Sequence, residues 1–189
     1  MVKVAVVLGS TREGRASDRV AAWVAAAYAG KADVEVIDLK DYPLPFINEA
    51  ISPRYNPERQ AEPAVQKWLD KVAQFDAYVL VTPEYNRAMS AVLKNALDVL
   101  AYEMEMKPVG LVAHGSTGGA QALDSLRSVV PAVGAFTVPA PVYFAHRAAD
   151  VLTEDGVLNA EIAANPYGPQ GSLNTQVEQV ITFATKLAA

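Results

Sequence analysis

Val2-Lys-Val-Ala-Val-Val-Leu-Gly-Ser-Thr-Arg-Glu-Gly-Arg-Ala-Ser-Asp18 decides the fold. Val2–Leu8 is almost continuously apolar and rich in β-branched residues, as a strand covered on both faces is. It stops at Gly9, and a helix opens near Asp18, with Val20, Trp23, Val24, Ala27 and Tyr28 recurring on one helical face. The same alternation continues along the chain. Val34–Leu39, Ala77–Val81 and Val109–Ala113 read as strands, and a fifth lies within Ala135–Phe144, where Pro139 and Pro141 blur its limits. Helical stripes fall between them at Val65, Trp68, Leu69, Val72 and Ala73, at Leu93, Ala96, Leu97, Leu100 and Ala101, and at Leu123, Leu126 and Val130. A last stripe runs from Val177 to Ala188. This order predicts an α/β protein: a doubly wound, five-stranded parallel sheet with helices on both faces.

Composition agrees. A chain of 189 residues predicts one domain over residues 1–189, long enough to bury a core without a metal or disulfide staple. It has no cysteine, which excludes disulfide frameworks, thiolate nucleophiles and Cys-held metal clusters. With 16 Lys+Arg against 21 Asp+Glu the net charge is −5, and no basic block is present, so nucleic acid is not an expected partner. No apolar run reaches the ~18 residues of a membrane span, and the apolar start is too short for a signal peptide. The expectation is a soluble, cytoplasmic protein with no membrane contact.

Two connections are too long for ordinary loops. Asp41–Pro63 is proline-rich, and Ala145–Ser172 carries the turns Glu154-Asp-Gly156 and Asn165-Pro-Tyr-Gly168. Segments of this length in a compact protein serve a site, a lid or an interface, or are tolerated surface excursions.

Ligands of open parallel sheets sit beyond the carboxyl ends of the strands, near the reversal of strand order. After the first strand, Gly9-Ser-Thr-Arg-Glu-Gly-Arg-Ala-Ser17 joins a helix N-terminus to hydroxyls and two arginines, a donor set for phosphate. It lacks the G-x-G-x-x-G of a dinucleotide site, although Asp38 stands where a ribose-binding acid would. Gly9 and Gly14 have P-loop spacing, but Arg15 replaces the lysine and Ala16 the magnesium-binding hydroxyl. A terminal monophosphate remains, against a plain turn with Ser17 as N-cap.

After the third strand, Pro83 ends the strand, and Glu84, Tyr85 and Asn86 offer amides, a flat ring and a carboxamide to a planar heterocycle. Lys94, Asn95 and Asp98 read as a polar helix face. After the fourth strand, His114-Gly-Ser-Thr-Gly-Gly119 lets backbone approach a ligand closely. It lacks the spacer of a nucleophile elbow, so a hydrolase is disfavoured. His146 is the second histidine, with no third group to make a catalytic or metal pair, and His114 is expected to bond backbone.

Together these loops resemble the NADPH-dependent FMN reductase family of flavodoxin-like quinone, chromate and azo-compound reductases, over roughly residues 2–144. Pro83-Glu-Tyr-Asn86 with Leu93-Lys-Asn-Ala96 is similar to the family's P-E-Y-N…L-K-N-A signature, Gly9-Ser-Thr-Arg12…Ser17 to its phosphate loop, and Gly115–Gly119 to its third loop. Ser90-Ala-Val92 stands where many members carry Pro-Gly. The resemblance implies that Ser10, Arg12 and Ser17, with amides around Arg15, Ala16 and Ser17, hold the FMN phosphate. It implies that Pro83, Glu84, Tyr85 and Asn86 line the isoalloxazine, and that Gly115, Ser116, Thr117, Gly118 and Gly119 meet its pyrimidine edge. NADPH or NADH would be the donor and a small molecule (quinone, azo compound, metal oxyanion or free flavin) the acceptor, in ping-pong order with no dedicated acid–base residue. Arg15 and Arg87 are either contacts for the donor's phosphates or solvated charges. A homodimer or homotetramer is expected, with Met104, Met106 and Asp41–Pro63 as adaptable surface. A flavodoxin-type carrier without NAD(P)H activity, or a flavin-free nucleotide-binding or scaffold protein, is the competing expectation.

Overall fold

The computed structural model describes residues 1–188. Strands β1 (Lys3–Leu8), β2 (Asp33–Asp38), β3 (Ala77–Pro83) and β4 (Pro108–His114) pair in parallel in the order β2-β1-β3-β4. The fifth position holds two short strands, β5 (Phe136–Thr137) and β6 (Val142–Phe144), both parallel to β4. The expected five strands are therefore six. Pro139 and Pro141 lack the amides a continuous ladder needs. Side chains of α7 (Pro169–Leu187) bridge the gap instead: Gln176 donates Nε2 to the carbonyls of Leu111 (2.9 Å) and Ala140 (2.7 Å), and Gln179 Oε1 accepts the Ala140 amide at 2.8 Å.

Alternating side chains of β1 feed two cores. Ala5 and Val7 pack with α2 (Pro63–Val72), α3 (Ala91–Asp98) and α4 (Ala120–Val129), through Trp68, Leu93 and Leu123 among others. Val4, Val6 and Leu8 face α1 (Ser17–Tyr28) and α7, through Val20, Val24, Leu173 and Val177. Every residue of β3 is buried, which is why it reads as an unbroken apolar run.

Pro83 does not stop the strand short: it is the last residue of β3 and pairs with His114. Its missing amide costs no ladder bond toward β1, because β1 has ended at Leu8 and the last bond on that side is Gly9 N–H to Val81 O, 2.8 Å. Gly9 is required there, since a Cβ would lie 2.7 Å from that same carbonyl oxygen.

The late connection is not structureless. It holds α5 (Ala148–Val151), an antiparallel bridge between Leu152 and Leu158, and α6 (Ala160–Ala163), and α7 already begins at Pro169. The Asp41–Pro63 connection is irregular apart from short 3-10 turns at Leu39–Asp41 and Pro53–Tyr55. It is tied down by Asn95, which donates to Pro45 O at 2.9 Å and accepts from Ile47 N at 3.3 Å, so Asn95 is a buried clamp and not part of a solvated face. Lys94 and Asp98 do pair, at 2.6 Å.

Candidate functional site

Strand order reverses between β1 and β3, and a cleft of about 610 Å³ opens at their carboxyl ends. That volume suits a cofactor-sized ligand. Its floor and one wall come from Arg12, Gly14–Ser17, Pro83, Glu84 and Tyr85; the opposite wall comes from His114, Gly115, Ser116 and Ala145–Ala149.

The helix mouth faces this cleft uncapped. Ala16 occupies the N-cap of α1 without a side-chain bond, and among the described residues the amides of Ala16, Ser17 and Asp18 donate to no protein acceptor. Ser17 is not the N-cap: its hydroxyl, 1% exposed, lies 2.9 Å from His114 Nε2. His114 thus bonds a side chain and not backbone. Burial, and then the charge of Arg12, push its pKa down to about 4, so the ring is neutral near pH 7.

The two loop arginines have different environments. Arg15 is almost buried, donating Nη1 to Asp38 Oδ1 (2.9 Å), Nε to Asp18 (3.0 Å) and Nη1 to the Ser10 carbonyl. Its Asp38 bond holds the guanidinium more firmly protonated than usual against the opposing cost of burial. Burial pushes the Asp38 carboxyl up, but the Arg15 and Lys40 bonds prevail and hold it below the ordinary range. Arg15 is thus not a solvated charge, and Asp38 is paired with it across the two strand ends. Arg12 is exposed, forms no ion pair among the described residues, and lies over the Tyr85 ring at 5.8 Å. Of the two arginines in the loop after β1, it is the one without a carboxylate partner among the described residues.

Tyr85 OH is 3.1 Å from Ser10 Oγ, so the buried Ser10 hydroxyl fixes the ring and lines a neighbouring 420 Å³ groove, not the main cleft. Tyr85 and Ala88 exchange backbone bonds of 2.9 and 3.1 Å around Asn86 (φ 49°) and Arg87 (φ 69°), a two-residue turn with both central residues left-handed. That turn carries Asn86 to a third hollow beside Met89 and Lys94, outside the main cleft. Arg87 lines neither of these spaces.

Glu84 joins two loops. Its carboxylate accepts from Thr117 Oγ1 (3.0 Å) and from the amides of Gln121 (2.9 Å) and Ala122 (3.2 Å), capping α4 from outside. Gly119 has φ +79°, and a Cβ there would lie 2.6 Å from that of Ala113. Thr117, Gly118 and Gly119 therefore build the entry to α4, leaving Gly115 and Ser116 to line the cleft. Ser90 caps α3 by accepting from Leu93 N (3.2 Å) and donates to the Gly9 carbonyl, holding the loop after β1 against the loop after β3.

Sequence reasoning missed the Ala145–Ala149 wall, with His146 packed edge-on against Phe144 at 5.8 Å. His114 and His146 do share the cleft, yet among the described residues no group of three potential ligands forms a metal site. The length of the late connection was the available signal.

An open parallel sheet with a phosphate-type helix mouth, an aromatic wall and glycine-lined backbone at its switch point defines a flavodoxin-like nucleotide-binding protein. The family model for NADPH-dependent FMN reductase matches residues 2–150, and the chain belongs to that family. It is 34% identical over 149 residues to an NAD(P)H-dependent FMN reductase of Schizosaccharomyces pombe, covering 72% of this chain and 74% of the relative. It is 38% identical over 144 residues to an NADPH azoreductase of Bacillus sp., covering 75% of each. Among solved structures, the flavoenzyme FerB, an NAD(P)H:(acceptor) oxidoreductase from Paracoccus denitrificans, superposes with a TM-score of 0.78 at 24% identity, over 98% of each chain. The chain is thus an oxidoreductase, with FMN and NAD(P)H as its cofactors.

Proposed function

We propose that the whole chain works as one FMN-binding domain that passes electrons from NADPH or NADH to a small acceptor (a quinone, azo compound, metal oxyanion or free flavin) in ping-pong order. The observation that carries this is the uncapped N-terminus of α1 opening into the cleft beside the unpaired Arg12. The donor set fits a terminal phosphate: free amides at the positive end of a helix, a buried serine hydroxyl and the Arg12 guanidinium. When bound, FMN supplies the hydride chemistry, accepting two electrons from the nicotinamide and passing two to the acceptor.

The residues bind and orient. The amides of Ala16 and Ser17, with Arg12, take the phosphate. Pro83 and Tyr85 would wall the flat ring, and the backbone of Gly115 and Ser116 would serve its polar edge; all four line the cleft. Glu84 is engaged in capping α4 and His114 in holding Ser17, so neither is free to act as a general base. The open cleft leaves room for donor and acceptor to enter in turn. Initial velocities at several acceptor concentrations test the order: parallel double-reciprocal lines are expected, and lines that intersect contradict it.

We also propose a homodimer or homotetramer in the cytoplasm. Phe46, Ile51, Tyr55 and Met106 are exposed apolar side chains on and beside the Asp41–Pro63 connection, whereas Met104 is buried in the core and takes no part. Gel filtration at micromolar concentration is expected to show a multiple of the 20.2 kDa chain. Among the described residues no helix is long and apolar enough to cross a membrane.

A further inference from the structure

We propose that His114 is a positioning residue for cofactor selection: by donating from Nε2 to Ser17 Oγ, it turns the Ser17 hydroxyl proton toward the phosphate and so favours FMN over phosphate-free flavin. This rests on the phosphate reading of the α1 mouth proposed above.

Ser17 Oγ is a two-way group that can donate one proton and accept at its lone pairs. Its one side-chain partner among the described residues is His114 Nε2 at 2.9 Å, and Ser17 is 1% exposed, so that ring decides which way the hydroxyl points. A neutral imidazole carries its proton on one nitrogen only. With the proton on Nδ1, Nε2 accepts the hydroxyl proton, and Ser17 turns a lone pair toward the cleft. With the proton on Nε2, the ring donates, and the hydroxyl proton is released toward the cleft. An ionised phosphate only accepts, so it is compatible with the second arrangement and repelled by the first. The adjoining amides of Ala16 and Ser17 point the same electrostatic sense, as donors at the positive end of α1. The carbonyl of His114 is separately engaged, accepting from Glu84 N at 2.8 Å, which anchors the backbone that carries the ring. His114 thereby reads the ligand's phosphate from the end of β4, through a serine on the far side of the switch point.

The test is a titration of the flavin-stripped full chain with FMN and with riboflavin, for wild type, His114→Phe, His114→Gln, Ser17→Ala and the Ser17→Ala/His114→Phe pair. Wild type is expected to prefer FMN. His114→Phe keeps ring volume but loses the donor, and should weaken FMN about three- to tenfold while leaving riboflavin unchanged. His114→Gln offers an amide donor and should recover most of the loss. In the Ser17→Ala background His114→Phe should have no further effect. Equal losses for FMN and riboflavin, wild-type FMN affinity in His114→Phe, or a full loss persisting without the Ser17 hydroxyl would each overturn the assignment. Equal affinity of wild type for both flavins would instead remove the phosphate reading on which it rests. Riboflavin binding and a thermal melt report whether each variant is folded.

Discussion

Arg15 Nη1 lies 2.9 Å from Asp38 Oδ1, so the loop after β1 is pinned to the last residue of the neighbouring strand β2. A second carboxylate, Asp18, meets the same guanidinium at 2.7 Å. Arg15 therefore braces the loop after β1, with both of its carboxylate partners in place. Arg15→Ala leaves Asp38 without its partner in a partly buried setting and should destabilise the fold by about 1–3 kcal/mol. Urea unfolding of the apoprotein checks this. An unchanged midpoint, with a rise in KM for NADPH alone, would return Arg15 to a ligand role.

Arg12 has the opposite profile. Its guanidinium lies over the face of Tyr85 and makes no ion pair or side-chain hydrogen bond among the described residues, so removing it should leave stability nearly unchanged. Losing a hydrogen bond to a charged phosphate costs ~1.5–3 kcal/mol, about 10- to 150-fold in affinity. Arg12→Ala is expected to release FMN on dilution with its melting temperature retained. Tight retention of FMN by this variant would place the phosphate elsewhere.

Glu84 holds the first turn of α4 from another loop. Glu84→Ala removes the acceptor for the Gln121 and Ala122 amides and should cost about 1–2 kcal/mol, as loss of a helix cap does. Faster hydrogen exchange should appear at residues 115–122, while α1 stays protected. Exchange that rises uniformly along the chain would mean that the carboxylate does not hold this turn specifically.

Acid should weaken the apoprotein through His114. Its folded pKa is about 4 against 6.5 for the free side chain, so between those values the unfolded chain takes up a proton that the folded chain refuses. Stability is then level above pH 6.5 and falls toward pH 4, by at most about 3 kcal/mol. Asp38, held below its ordinary value, adds a loss as pH drops through its folded pKa. His114→Gln should flatten the slope between pH 6.5 and 4 and leave the Asp38 part. A wild-type melting temperature constant over that range would show that the ring is not buried neutral.

Strand and helix order was legible because hydrophobic period is a local property: β3 reads as a buried strand from Ala77 to Val81 without any knowledge of its neighbours. The loops that converge were legible for the same reason, since each follows a strand end. What stayed hidden depends on contacts between distant residues. Nothing near Arg15 in sequence says that Asp38 will meet it, or that His114 will meet Ser17, 97 positions away. The left-handed turn at Asn86 and Arg87 was likewise invisible, because turns of that kind normally advertise themselves with glycine. It sets Asn86 in a hollow that shares the Tyr85 ring with the main cleft. In the last strand, the prolines signalled trouble correctly, but the repair by Gln176 and Gln179 comes from a helix tens of residues later.

The central claim, an FMN-dependent oxidoreductase that takes electrons from NAD(P)H in this cleft, is tested most directly by anaerobic mixing of the FMN-loaded protein with NADPH. The account predicts that the yellow flavin absorbance bleaches without any acceptor present and returns when a quinone or azo compound is added afterwards. An absorbance that stays yellow with both NADPH and NADH, in protein shown to hold FMN, would contradict it and leave an electron carrier.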